Sequence, residues 1–200
     1  MAVEQGRLSG VSRDPARSYE PVDDGDLARL ARLADAECDQ FFRRNRHLAH
    51  WRNRLRFAAL GQGGANHYLR GERGIWDLDL LLLFAQHPDD DPKPYLRRSV
   101  RSWDWGPSKF GRCPYDPPGY TGRAVDVALW VIPDAAEPLD GLLVWLERRH
   151  TKNRGTPDVA HEPVVLVAPE PGRVVWDPPN VPPPAHKTTG HRSPAGVAPR

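Results

Sequence analysis

The stretch that decides the fold runs from residue 55 to residue 85 and reads LRFAALGQGGANHYLRGERGIWDLDLLLLFA. Its opening, Leu55–Leu60, has the apolar content of a short strand, and glycines at 61, 63 and 64 end it. Ala65–Arg70 suits one or two helical turns, and Gly71 and Gly74 mark a second turn. Trp76–Ala85 is too short for an ordinary globular helix, and after Asp79 it is apolar on both faces, which is how a buried central strand reads. Asp77 and Asp79 lie two apart, so the period of a strand turns both side chains to one face. A carboxylate in such a core is costly unless it is paired or holds a metal.

Downstream, Ala124–Ile132 (AVDVALWVI) reads as a second buried strand, with Asp126 alone between two valines. Two strands that each bring carboxylates to one place can hold Mg²⁺, because hard divalent cations take oxygen ligands. Gly63 and Gly64 suit the same chemistry: glycine lets the backbone approach a phosphate, and the free N–H groups of a helix start favour an anion.

Upstream, Leu27, Leu30, Leu33 and Ala34 form a helical stripe that continues through Cys38, Phe41 and Phe42, with Asp23 or Asp24 as its cap. The helical pattern then runs on through FFRRNRHLAHWRNR. Beyond the second carboxylate strand, Pro138–His150 is an amphipathic helix with Leu139, Leu142, Leu143 and Leu146 on one face. Pro163–Ala168 and Arg173–Trp176 suit a hairpin. The 22 prolines are placed unevenly: none falls between Val22 and His87, so long regular elements fit there. The expected organisation is a flexible arm over 1–22, one domain over 23–176, and a disordered proline-rich tail over 177–200. Residues 88–122 form an insertion between the carboxylate strands, with a hairpin around Ser99–Trp105.

Gly63-Gly64, the spacer, Asp77-Leu78-Asp79-Leu80 and the later Val125-Asp126-Val127 together resemble the signature of the polymerase-beta-like nucleotidyltransferase superfamily. The resemblance covers about half of the chain, roughly residues 27–132. It implies an α/β (α+β) fold, a mixed β-sheet flanked by helices, and transfer of a nucleoside monophosphate from an NTP to an acceptor. By the same resemblance, Asp77, Asp79 and Asp126 would bind Mg²⁺ or Mn²⁺, Asp126 would act as base, and Gly63 and Gly64 would cradle the triphosphate. Many members place a serine directly after the glycine, where this chain has Gly64; Asn66 or Gln62 is the candidate substitute. The resemblance names no acceptor, which stays open among RNA, protein and a small molecule. The contrasting reading makes Asp77 a strand-entry cap and pairs the other aspartates with Arg73 and Arg123.

Other features narrow the partners. A net charge of +2 does not mark a bulk nucleic-acid binder. Even so, Arg43–Arg56 is dense in arginine with interleaved aromatics, which suits either RNA contact or a solvated helix face over core rings. In the insertion, Ser108, Lys109 and Arg112 are candidates to bind the triphosphate or the acceptor. Histidines such as His47 and His50 lack a metal-site pattern, and Cys113 has no obvious base beside it. No apolar run reaches membrane-spanning length, the opening MAVEQGRLSG has no signal-peptide core, and two cysteines fit a reducing cytoplasm. A non-catalytic nucleotide-binding or antitoxin-like protein with the same fold is the alternative function; a metal-dependent phosphodiesterase ranks below both.

Overall fold

The fold was obtained as a computed structural model, which describes residues 13–86, 101–153 and 158–178. The first helix, α1 (Asp24–Arg44), starts at Asp23, whose side chain accepts from the backbone N–H of Asp26 while the Asp26 carboxylate accepts from that of Asp23. This reciprocal cap satisfies two donors that a helix start leaves open. After a break at Asn45, the basic segment continues as a 3₁₀ helix over Arg46–Arg54.

Then come β1 (Leu55–Gly61), α2 (Gln62–Arg70) and β2 (Leu78–Ala85). Among the described residues there follow β3 (Arg101–Asp104), β4 (Ala124–Ile132), α3 (Pro138–Lys152), a 3₁₀ turn over Val159–His161, β5 (Val164–Ala168) and β6 (Val174–Trp176). The six strands form one mixed sheet in the order β3-β4-β2-β1-β5-β6. Among the described strands only β2 and β4 pair in parallel, and every other neighbouring pair is antiparallel.

Strand β2 lies inside this order, which explains its apolar run. Leu78, Leu80, Leu82 and Phe84 pack on one face with Leu27, Leu30, Ala34, Cys38 and Phe42 of α1. Leu81 and Leu83 pack on the other with Leu142 and Leu146 of α3. Each fully buried leucine contributes about 2 kcal/mol of transfer free energy.

Several expectations change in detail. The expected arm is packed over its described part: Ala16, Ser18 and Val22 are buried, and Ser18 bridges to Ile75. Of the expected hairpin around Ser99–Trp105, Arg101–Asp104 forms a strand, β3, laid antiparallel on β4, and the residues before it lie outside the described residues. The C-terminal hairpin forms as β5 and β6. The part of the insertion before β3 and the tail after Pro178 lie outside the described residues.

Candidate active site at the head of the parallel strands

Strand register brings the predicted residues together. Gly61 at the end of β1 faces Asp79 of β2, Asp79 faces Asp126 of β4, and Asp126 faces Ser102 of β3. Residues level with one another on adjacent strands turn their side chains to the same face, about 4.8 Å apart from strand to strand. Asp79 and Asp126 therefore stand abreast at the N-terminal end of the parallel pair, on the α3 side of the sheet. Asp77 sits just before β2 and belongs electrostatically to the same group.

The acidity of Asp77 and Asp79 records this crowding. Burial, then the charges of Asp77 and Asp126, push the Asp79 carboxyl from 3.8 up to about 8. Burial first, and the Asp126 charge next, also raise Asp77. No arginine or lysine among the described residues forms an ion pair with any of the three. The two arginines available by sequence are engaged elsewhere. Arg73 pairs with Glu162. Arg123 donates to the carbonyls of Ala16, Trp76 and Phe110 at 2.8, 3.0 and 2.8 Å. Ordinary ion pairing among the described residues thus does not explain the half-buried carboxylates.

Beside them begins α2. Gly61 is its cap residue, and Gln62 takes a positive φ of 48°, unusual outside glycine. That turn aims the Gln62 side chain back, so that Nε2 donates to Asp79 Oδ1 at 2.7 Å. The turn itself is Gly61-Gln62, and Gly63-Gly64 lies inside the first helical turn rather than ahead of it, as expected from sequence. The two glycines differ in surroundings. A Cβ on Gly63 would meet nothing within 4 Å, leaving the backbone open to an approaching group. A Cβ on Gly64 would lie 2.8 Å from Leu60 Cδ1, so this glycine serves packing.

Three candidates stand differently. Asn66 donates to Glu162 Oε2 at 2.8 Å, not to the carboxylate group, so of the two substitutes weighed, Gln62 is the one at the site. Lys109 is held by Asp23 and Asp26 at the start of α1, at 2.5 and 2.8 Å. Arg112 is exposed and makes no ion pair among the described residues.

The basic segment divides in the same manner. Phe42 and Trp51 are core, and Arg52 and Arg54 pair with Asp39 and Asp134, while Arg43, Arg44 and Arg46 are exposed. Cys38 and Cys113 are buried free thiols, and burial pushes the Cys38 thiol up to about 12.

What the residue pattern did not reveal is the scaffold of the loop between β3 and β4. Asp104 accepts from the backbone N–H groups of Gly106, Thr121 and Gly122 at 2.8, 2.8 and 2.9 Å, and from the Thr121 hydroxyl at 2.8 Å. Buried Asp116 accepts from the N–H groups of Cys113 and Ala124. With Arg123, these residues fix the loop that leads into Asp126. Apart from the Thr121 hydroxyl, their partners are backbone groups, which leave no residue-type signal; only the Asp-x-Gly spacing at 104–106 hints at a turn.

The donor set consists of carboxylate oxygens that have no cationic side chain paired with them among the described residues, which suits Mg²⁺ or Mn²⁺ in kind. In placement it is loose: among the described residues, no three His, Cys, Asp or Glu side chains are gathered into a group able to hold a metal ion. No helix among them is long and apolar enough to cross a membrane. Comparison of the chain with protein-family models, curated proteins and solved structures finds no match.

Proposed function

We propose that this chain is a metal-dependent nucleotidyltransferase of the polymerase-beta-like kind, acting in the cytoplasm. The observation that carries the reading is the level pairing of Asp79 with Asp126, next to Asp77 and to the start of α2. Asp77, Asp79 and Asp126 would hold Mg²⁺ or Mn²⁺, which when bound neutralises charge on the phosphates and polarises the phosphoryl group. The acceptor hydroxyl gives its proton to Asp126. The acceptor oxygen bonds to the α-phosphorus as the bond to the β-phosphate oxygen breaks, and pyrophosphate leaves. Gln62 fixes the orientation of Asp79 through its 2.7 Å hydrogen bond. The open backbone at Gly63, at a helix start, suits the anionic phosphates. Arg112, which makes no ion pair among the described residues, is a cation available from the insertion, whereas Lys109 is engaged with the α1 cap.

The test is label transfer from each NTP, with Mg²⁺ or Mn²⁺, to RNA, protein and small-molecule fractions of a cell extract. Wild type should transfer label and an Asp77→Asn/Asp79→Asn double variant should not; equal transfer by both sinks the catalytic reading. A second reading, an NTP-binding or antitoxin-like interaction protein without turnover, is favoured by the loose gathering of the carboxylates. It predicts calorimetric binding of Mg-NTP, or of a protein partner, with no transfer.

A further inference from the structure

Large aromatic side chains normally hide from water, yet two stand exposed in contact with each other beside the carboxylates. Trp76 is 44% exposed and Tyr115 is 73% exposed, with ring centroids 5.8 Å apart. Trp76 immediately precedes Asp77, and Tyr115 immediately precedes buried Asp116, whose charge reaches Asp77.

The pair is held firmly. The Trp76 carbonyl accepts from Arg123, and its indole N–H donates to Asp14 Oδ2 at 3.3 Å. The Arg17 guanidinium lies over the Trp76 ring, 4.8 Å from its centroid, and is itself fixed on the Gly74 carbonyl at 3.2 Å. Asp116 anchors the backbone beside Tyr115 through the N–H groups of Cys113 and Ala124. The Tyr115 ring is thus supported from the chain side and open on the solvent side.

Resting on the transferase reading, we infer that Tyr115, supported by Trp76 and Arg17, stacks a nucleobase at the rim of the carboxylate group. The base comes either with the NTP or with the terminal nucleotide of a nucleic-acid acceptor. A flat, polarisable ring matches this ligand: every base offers a π-face, and stacking on aromatic residues is tolerant of base identity. The patch is small and bordered by the charges of Asp14 and Arg17, unlike a broad apolar surface for a folded partner.

Calorimetric titration in Mg²⁺ with four probes tests this: ATP, tripolyphosphate, hexa-adenylate RNA and an abasic hexamer of the same backbone. In the wild type, at least one base-bearing probe should bind about tenfold more tightly than its base-free twin. Tyr115→Ala and Trp76→Ala should each remove that difference, and Tyr115→Phe should keep it. Binding of the base-free probe should be unchanged in Tyr115→Ala, whose exposed position leaves the melting temperature in place. The pair that shows the difference identifies the source of the base. A difference absent from the wild type, or surviving both alanine variants, overturns the stacking site. Failure of ATP and tripolyphosphate alike to bind overturns the transferase reading instead. The stacking site then stands if hexa-adenylate still outbinds the abasic hexamer and falls if it does not.

Discussion

Replacing Asp79 with asparagine should make the protein more stable, and increasingly so as pH rises. Asparagine keeps the shape and can still accept from Gln62 Nε2, but it removes the charge that Asp77 and Asp126 oppose. The carboxyl moves from 3.8 to about 8 on folding. At about 1.4 kcal/mol per pH unit, this places the ceiling for ionising it in the fold at about 5–6 kcal/mol. Water penetration and relaxation lower such penalties in real proteins, so the expected gain above pH 8 is about 2–3 kcal/mol.

The sign follows from proton counting. Between pH 4 and pH 8 the native state keeps a proton that the unfolded chain has lost, so the Asp79 contribution to stability falls as pH rises. It is fully present below about pH 4 and gone above about pH 8. Urea unfolding of wild type and Asp79→Asn at pH 5, 6, 7 and 8, with chelator present, reads both the gain and the slope. The raised Asp77 leaves the variant a smaller slope of the same sign. A variant no more stable than wild type at pH 8, or one retaining the whole wild-type slope, would refute the crowding argument. Mg²⁺ should stabilise wild type more at pH 8 than at pH 6, because a bound cation requires the deprotonated carboxylate.

Other substitutions test neighbouring parts of the site. Gly63→Ala should raise stability by up to about 1 kcal/mol in urea melts, because its Cβ meets open space in a helix. Gly64→Ala should cost about 1–2 kcal/mol by displacing Leu60. Gly122→Ala places a Cβ 1.8 Å from the Gly106 carbonyl oxygen, so the loop must rearrange; a melting temperature equal to wild type would contradict that close approach. Arg123→Met removes the donors to three carbonyls and should cost about 3 kcal/mol in denaturant unfolding. Asp104→Ala should speed proteolytic cleavage between residues 105 and 122 well before global unfolding, with new fragment masses as the readout.

The parts legible in the sequence were those in which residue type answers to burial. LDLLLLFA stands out because a strand covered on both faces must be apolar throughout, and Asp79 is conspicuous as the breach. The stripe of α1 and its acidic cap were legible for the same kind of reason. The register that sets Asp126 level with Asp79 was not, because it depends on pairing between distant strands and on the path of a long connection. The turn moved forward by two residues because glycine's poor helix propensity argues for placing Gly63-Gly64 outside the helix, whereas close packing on Leu60 and Leu78 draws Gly64 in. Arg123 suggested an ion-pair partner; its real partners are carbonyls, which any residue supplies. The same blindness hid the ordered stretch around Ala16 and Ser18.

The parallel pairing of β2 with β4 has a consequence for the route of the chain. Beyond Asp79, strand β2 runs on for six residues to Ala85, about 20 Å at strand rise. To enter β4 in the same direction, the polypeptide must travel back that whole distance before reaching Asp126. The last residues of the connection, from Trp105 to Arg123, therefore return at the carboxylate end whatever the length of the segment before them. The carboxylates and the loop that returns beside them are thereby carried by separable lengths of one polypeptide.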